Sequence, residues 1–191
     1  INDVWTAMEP LFRKYYATHG KHVGDGMVYY FFPQPDCNYL TNALHCAYEM
    51  QQTIGDVSRA WKARKNWGND LLLNIGVDEG QEWFGTYQTP THLEFTVLGD
   101  TINHVGRMSD FAREGSLWSS KRLLGRLTPD ERADVQYGIK RQSELGEEII
   151  VGSTYARINN LVDLDDPRNH KFNDIATMPV TEIINIGLKQ G

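Results

Sequence analysis

The chain has 191 residues, of which 40% are hydrophobic and 11% aromatic, a composition typical of a folded globular protein. We predict one domain over residues 1–191, because this length suits a single core. The net charge of −6 at pH 7 argues against nucleic-acid binding through a basic surface. Two cysteines, Cys37 and Cys46, are too few for a disulfide framework, so we expect reduced core thiols and a cytoplasmic domain. No apolar run reaches the roughly 18 residues that cross a bilayer.

The first part of the chain combines helical periodicity with one clear turn signal. The sequence Gly24-Asp25-Gly26 separates two apolar runs, and an Asp-Gly pair in that setting predicts a β-hairpin. The predicted elements here are a helix over residues 2–19 ending at Gly20, strands over 21–23 and 27–32, a helix from about Asp36 to Lys65, and a buried strand over 71–77.

The remaining elements alternate between strands and short helices. They are a turn at 78–80 with a returning strand over 82–87, a strand over 94–98, a helix after Gly99, a strand over 116–119, a helix over 120–127 and a final strand over 176–186. Residues 128–170 are highly charged, and we expect an atypical surface insertion there. It includes a helix start at 128–131, a strand or helix start at 147–151 and a polar loop at 163–170. The element order predicts an α+β fold, with helices covering a mostly antiparallel sheet.

The stretch from Thr96 to Met108 carries the strongest chemical signal. Asn103 and Arg107 are four residues apart, so a helix projects them from one face. An amide beside a fixed cation suits a ribose and a phosphate, although two ordinary surface side chains have the same pattern. Asp100 or Thr101 is the expected N-cap. The apolar residues of this helix should face the core: Ile102, Val105 and Met108.

Three stretches, in this order and spacing, resemble the catalytic domain of the class III nucleotidyl cyclases. They are Lys21-His22-Val23-Gly24-Asp25-Gly26, residues 74–80 followed by Gly85, and Thr96 through Asn103 and Arg107. The resemblance covers about residues 1–127 and, less closely, the last strand. It implies a ferredoxin-like sandwich whose first strand carries a metal-binding aspartate in a Phe-x-Asp-x-x-x-Phe-Thr motif. The sequence begins at Ile1, downstream of the position where that strand and its aspartate would lie, so we expect both in residues that precede Ile1.

The resemblance also implies a reaction and a role for each matching residue. The ribose 3′-hydroxyl of ATP attacks its own α-phosphate, which yields cyclic AMP and pyrophosphate, with two Mg²⁺ or Mn²⁺ ions per site. Asp25 matches the second metal aspartate, Asn103 the residue that orients the ribose, and Arg107 the arginine that stabilises charge on the phosphates. Lys21 and Thr96 match the purine-binding pair of adenylate cyclases. The triphosphate lysine has no clear counterpart, and Lys171 is the nearest candidate.

The resemblance further implies a homodimer with two composite active sites, because the metal aspartates and the other site residues come from different subunits. An upstream sensor or membrane module is the expected regulator. Two alternatives remain open. The first is a catalytically impaired domain that only binds nucleotide or dimerises, which the missing aspartate favours. The second is a guanylate cyclase, which Lys21 disfavours.

Overall fold

The computed structural model of the protein describes residues 2–66, 68–143 and 146–187. The α-helices are α1 (Asn2–Lys14), α2 (Tyr39–Lys65), α3 (Asp100–Phe111), α4 (Lys121–Gly125) and α5 (Pro129–Ala133). The strands are β1 (Thr18–Val23), β2 (Gly26–Tyr30), β3 (Ile75–Val77), β4 (Trp83–Thr89), β5 (His92–Leu98), β6 (Leu117–Ser120), β7 (Val135–Gln142), β8 (Glu148–Gly152), β9 (Ala156–Arg157) and β10 (Pro179–Ile186). Two 3₁₀ segments cover Ile158–Asn160 and Pro167–Ile175. The predicted α+β class is confirmed.

A six-stranded mixed sheet forms the centre of the fold. Its strand order is β3-β6-β10-β7-β8, and β9 pairs with β10. Only β3 and β6 are parallel among the paired strands of the described chain. Leu117 and Trp118 are neighbours in β6, so their side chains project to opposite faces. Leu117 packs with α2 and α4 on one face, whereas Trp118 packs with α3 and the Pro167–Ile175 segment on the other. The sheet is therefore covered on both faces at β6, whereas its edge strand β8 is exposed.

Two hairpins lie outside this sheet. The β1–β2 hairpin packs on α1 and α2, where the rings of Phe12 and Tyr29 stack with centroids 3.8 Å apart. The β4–β5 hairpin, which we call the ribbon, is a separate two-stranded sheet whose strands pair in register from Trp83–Leu98 to Thr89–His92. No helix of the described residues is long and apolar enough to cross a membrane.

The structure corrects several predicted boundaries. Helix α1 ends at Lys14 instead of residue 19, because Tyr16 adopts a left-handed conformation with φ 55° and redirects the chain into β1. Gly20 does not end a helix but lies inside β1. A Cβ at Gly20 would come within 2.7 Å of the Val28 carbonyl oxygen, so this glycine permits the close pairing with β2. Tertiary pairing here overrides the helical periodicity.

The prediction for residues 71–87 was wrong in its pairing. Only Ile75–Val77 of the apolar run is a strand, and Leu72 is 59% exposed. Strand β3 pairs with β6 in parallel, and β4 pairs with β5 instead of returning along β3. The cap of α3 was also wrong, since the N-cap is Gly99 and neither Asp100 nor Thr101.

The stretch 128–170 contributes to the main sheet. Its strand β7 pairs with β10, and Ile139 within it is buried. The open choice at 147–151 is resolved as strand β8. The loop predicted at 163–170 overlaps the 3₁₀ segment Pro167–Ile175, which inserts Phe172 and Ile175 into the core beside α3. The division of the chain into one domain with an insertion stays a prediction.

Candidate active site

Helix α3 separates its polar and apolar faces as the sequence predicts. Met108 is fully buried, and Ile102 and Val105 line an internal groove. Asn103 is exposed on the other side, and its Nδ2 donates a hydrogen bond to the Gly99 carbonyl oxygen at 3.3 Å. The amide of Asn103 therefore points along the start of the helix, where a ligand can reach it from solvent.

Arg107 lies one turn further along α3 and contacts two carboxylates. Its Nε is 3.6 Å from Asp174 Oδ2, and its Nη1 is 4.0 Å from Asp110 Oδ2. Lys171 Nζ lies 3.3 Å from the same Asp110 oxygen, so the fold brings the candidate triphosphate lysine next to Arg107. These side chains are all 40–51% exposed, and exposed pairs typically contribute only about 0–1 kcal/mol. An anionic ligand can therefore replace Asp110 or Asp174 at low cost.

The start of α3 depends on a residue that the sequence analysis missed. Gly99 has no side chain to cap the helix, and the Ile102 N–H donates instead to Glu82 Oε1 at 3.1 Å. Arg122 also reaches this region, because its Nη2 lies 2.6 Å from Asp78 Oδ2 and 3.4 Å from Thr101 Oγ1. Both contacts join residues distant in sequence, so no local motif indicates them.

Asp25 and Lys21 are carried by the β1–β2 hairpin. Gly24 has φ +63°, a left-handed conformation that favours glycine, and it turns the chain so that Asp25 is exposed at the tip. Lys21 is exposed where the register of β1 and β2 shifts between His19 and His22. Within the described part of the chain, neither side chain has a hydrogen-bond or ion-pair partner, so both are available to a ligand.

Thr96 lies on the ribbon, directly opposite Gly85. Residues paired across antiparallel strands share a face, so Thr96 shares its face with Trp83, Leu98 and Tyr87. Their exposed fractions are 83%, 63% and 59%. Large apolar side chains exposed together on one face are typical of a surface that contacts another molecule.

An apolar groove of about 450 Å³ separates the hairpin from β3 and α3. Its walls include residues of β2 and β3, and its floor includes Leu40, Ala43 and Ala47 of α2. Burial raises the pKa of Tyr29 in this groove to about 12, and burial also raises the pKa of Tyr30 with the help of the nearby Glu82. Neither phenol ionises at neutral pH, so the groove walls are uncharged at these positions.

The six predicted site residues lie on three parts of the chain. Lys21 and Asp25 lie on the hairpin, Thr96 on the ribbon, and Asn103, Arg107 and Lys171 around α3. None of them lines the groove. Thus the fold joins Arg107 with Lys171 through Asp110, whereas Asp25 makes no hydrogen bond or ion pair with either of them in the described chain.

The described residues do not form a metal centre by themselves. In residues 2–66, 68–143 and 146–187, no group of three or more His, Cys, Asp or Glu side chains is arranged to hold an ion. Asp25 offers one exposed carboxylate, a ligand type that Mg²⁺ and Mn²⁺ favour. A two-metal site needs further ligands that these residues do not supply.

No protein-family profile matches the sequence, and no curated protein is similar to it in sequence. Solved structures do match across the chain. The guanylyl cyclase Cya2 matches with a TM-score of 0.70 at 15% identity, over 100% of this chain and 81% of Cya2. The adenylyl cyclase CyaB from P. aeruginosa gives 0.70 at 15% identity, over 100% and 83%. The guanylate cyclase domain of RhGC from Catenaria anguillulae gives 0.60 at 13% identity, over 97% and 81%. The chain therefore has the fold of the class III adenylyl and guanylyl cyclase catalytic domains.

Proposed function

We propose that this protein is an adenylate cyclase that converts ATP to cyclic AMP and pyrophosphate. The observation that carries the proposal is the polar face of α3. Asn103 and Arg107 are presented there, opposite the buried Met108, within a fold shared with adenylyl and guanylyl cyclases. The α3 face supplies an amide and a guanidinium one helical turn apart, which suits a ribose and a phosphate bound side by side.

The proposed reaction is an intramolecular phosphoryl transfer. The ribose 3′-oxygen forms a bond to the α-phosphorus and releases its proton to solvent, while the bond from that phosphorus to the pyrophosphate oxygen breaks. Catalysis of such a step depends mainly on positioning and on neutralising charge. Asn103 is proposed to orient the ribose, and Arg107 to stabilise charge on the phosphate oxygens. Lys171 contributes a second cation, since it shares Asp110 with Arg107.

The purine preference is proposed to reside on Lys21 and Thr96. Adenine N1 accepts a hydrogen bond, which the ammonium of Lys21 can donate, whereas guanine carries a hydrogen at N1. Lys21 has no partner among the described residues, so its ammonium is free to take this role. The hydroxyl of Thr96 can accept from the adenine amino group. ATP is therefore the proposed substrate, and GTP is the alternative.

A homodimer is proposed because Asp25 has no hydrogen-bond or ion-pair partner within the described chain, and because the cyclase resemblance assigns the metal aspartates and the other site residues to different subunits. The hairpin of one protomer and the α3 face of its partner together would supply Asp25, Asn103 and Arg107 to a single triphosphate. The exposed apolar face of the ribbon around Thr96 supports a partner at this side of the molecule. Twofold symmetry would then produce two equivalent sites.

The apolar groove is the proposed position of a segment that supplies a further ligand for the divalent metals. Strands β2 and β3 both line it, and in the described chain each pairs on one edge only. Two free strand edges above an apolar floor suit an extended segment that completes the sheet. We propose that the first strand implied by the cyclase resemblance fills the groove and adds an aspartate to Asp25.

The test is a cyclase assay with Mn²⁺ and either ATP or GTP, followed by chromatographic detection of the cyclic product. The protein should be assayed with any residues that precede Ile1 and as residues 1–191 alone. Cyclic AMP from the longer form is the expected result, with little from the shorter one. Nucleotide binding without a cyclic product in both forms would favour the catalytically impaired domain. Equal activity of the two forms would refute the role of the added strand.

A further inference from the structure

We infer that Glu82 is a positioning residue that holds the first turn of α3, and with it Asn103, in the orientation needed for catalysis. This inference rests on the proposed cyclase function and adds a residue that neither the motifs nor the resemblance indicate. It depends on the contacts among the turn 78–82, Gly99 and the first turn of α3.

The carboxylate of Glu82 replaces the missing side-chain cap of α3. The first N–H groups of any α-helix lack acceptors within the helix. Gly99 at the N-cap provides no side chain, and Glu82 Oε1 accepts from the Ile102 N–H at 3.1 Å. A negative charge at this end of a helix is also favoured by the helix dipole. Glu82 therefore supplies both the acceptor and the charge from outside the helix.

Gly99 makes this approach possible. Its φ of +156° is rarely adopted by residues with a side chain, and an added Cβ would lie 1.5 Å from Glu82 Oε2. Glu82 Oε2 is itself buried and has no hydrogen-bond partner among the described residues. The second oxygen is thus packed against the backbone of Gly99, which fixes the carboxylate plane relative to the helix start.

Gly80, in the turn 78–82, also lies close to the first turn of α3. A Cβ at Gly80 would come within 2.2 Å of Thr101 Oγ1 and 3.2 Å of Arg122 Nη2. Arg122 is anchored by Asp78, whose side chain is completely buried. The segment 78–82 therefore contacts the first turn of α3 on two sides, through Glu82 and through Thr101.

These contacts fix the position of Asn103 more than that of Arg107. Asn103 directly follows Ile102 and bonds back to the Gly99 carbonyl oxygen, so it belongs to the turn that Glu82 holds. Arg107 lies one turn later, near Gly76, where a Cβ would meet Val105 O at 2.9 Å and Ser109 N at 2.8 Å. That backbone packing holds the middle of α3 without Glu82. Loss of Glu82 should therefore disturb the ribose contact and spare the phosphate contact.

The test compares Glu82→Ala and Glu82→Gln with Glu131→Ala. Glu131 is a matched control, because its carboxylate also caps a helix, the short α5, by accepting from the Thr128 N–H at 2.9 Å. We expect Glu82→Ala to lower kcat about 10- to 100-fold, since a small displacement of a positioning group can cost about that much. Glu82→Gln keeps an acceptor oxygen and should restore most of kcat. Glu131→Ala should leave kcat unchanged.

A double variant separates positioning from general destabilisation. In an Asn103→Ala background, Glu82→Ala should lower kcat no further, because its effect passes through Asn103. In an Arg107→Ala background, the loss from Glu82→Ala should persist. Equal losses in both backgrounds would refute the inference.

Hydrogen exchange of the peptide covering residues 99–104 provides a readout that needs no turnover. Glu82→Ala should speed exchange in this peptide and leave the end of α3 unchanged. Unchanged exchange at 99–104 would overturn the proposed contact whatever the activity. If wild-type protein that includes the residues preceding Ile1 makes no cyclic nucleotide, the proposed function fails and so does the positioning role of Glu82 in catalysis, while faster exchange would still establish the cap.

Discussion

The sharpest test of the site is Arg107→Ala. The guanidinium is 43% exposed and lies 3.6 Å from Asp174 and 4.0 Å from Asp110, so in the isolated chain it makes only weak, solvated ion pairs. Removing it should cost less than about 1 kcal/mol of the free energy of unfolding. For a chain of this size, that corresponds to a fall in melting temperature of no more than about 2–4 °C.

The expected effect on catalysis is far larger. Loss of a cation that stabilises a phosphoryl-transfer transition state costs on the order of 10³ in rate. Converted to activation free energy, this loss in rate is about 4 kcal/mol, which is several times the expected loss in the free energy of unfolding. The assay is the initial rate of cyclic AMP formation at saturating ATP and Mn²⁺, together with thermal unfolding of the same preparations.

Two control variants distinguish a catalytic role of Arg107 from the loss of a surface arginine or of an ion pair. Arg59→Ala removes an exposed arginine of α2 that pairs only with Asp56 in the described chain. It should therefore change neither the rate of cyclic AMP formation nor the melting temperature. Asp174→Ala removes the partner of Arg107, and its rate should not fall, because the proposed role of Arg107 is toward the phosphates. If Arg107→Ala keeps near wild-type turnover, or if Asp174→Ala loses as much activity, the assignment of Arg107 is refuted.

Three further predictions concern specificity, thiol reactivity and packing. Lys21→Glu combined with Thr96→Cys should shift the ratio of kcat/KM values from ATP toward GTP, and an unchanged ratio would refute the purine assignment. Burial raises the pKa of the Cys46 thiol to about 12. At pH 8 a thiol-specific dye should therefore label the half-buried Cys37 and react with Cys46 only after denaturation. Rapid labelling of both thiols in the folded protein would contradict this prediction. Gly76→Ala should cost about 1–3 kcal/mol of stability in urea unfolding, because its Cβ would meet α3 backbone 2.8 Å away, and an unchanged midpoint would show that α3 can shift.

The sequence by itself determined the features that depend on neighbours along the chain. Helical periodicity separated Met108 from Asn103 and Arg107 on α3, and the structure confirms that one face is buried and the other exposed. The Gly24-Asp25 turn was likewise predictable, because its conformation depends on a few adjacent residues. The roles of the exposed side chains stay predictions, since they depend on a ligand and a second protomer.

Only the tertiary structure decided which elements meet. Strand pairing is a choice among distant segments, so the same apolar pattern could pair β3 with β4 or, as found, with β6. The charged stretch 128–170 supplies strand β7, because hydrogen bonding to β10 outweighs its weak local preference. The acceptor for the Ile102 N–H comes from Glu82, 20 residues earlier, and the long-range partner of Arg107 is Asp174. Such contacts arise from folding in three dimensions, and no spacing along the chain specifies them.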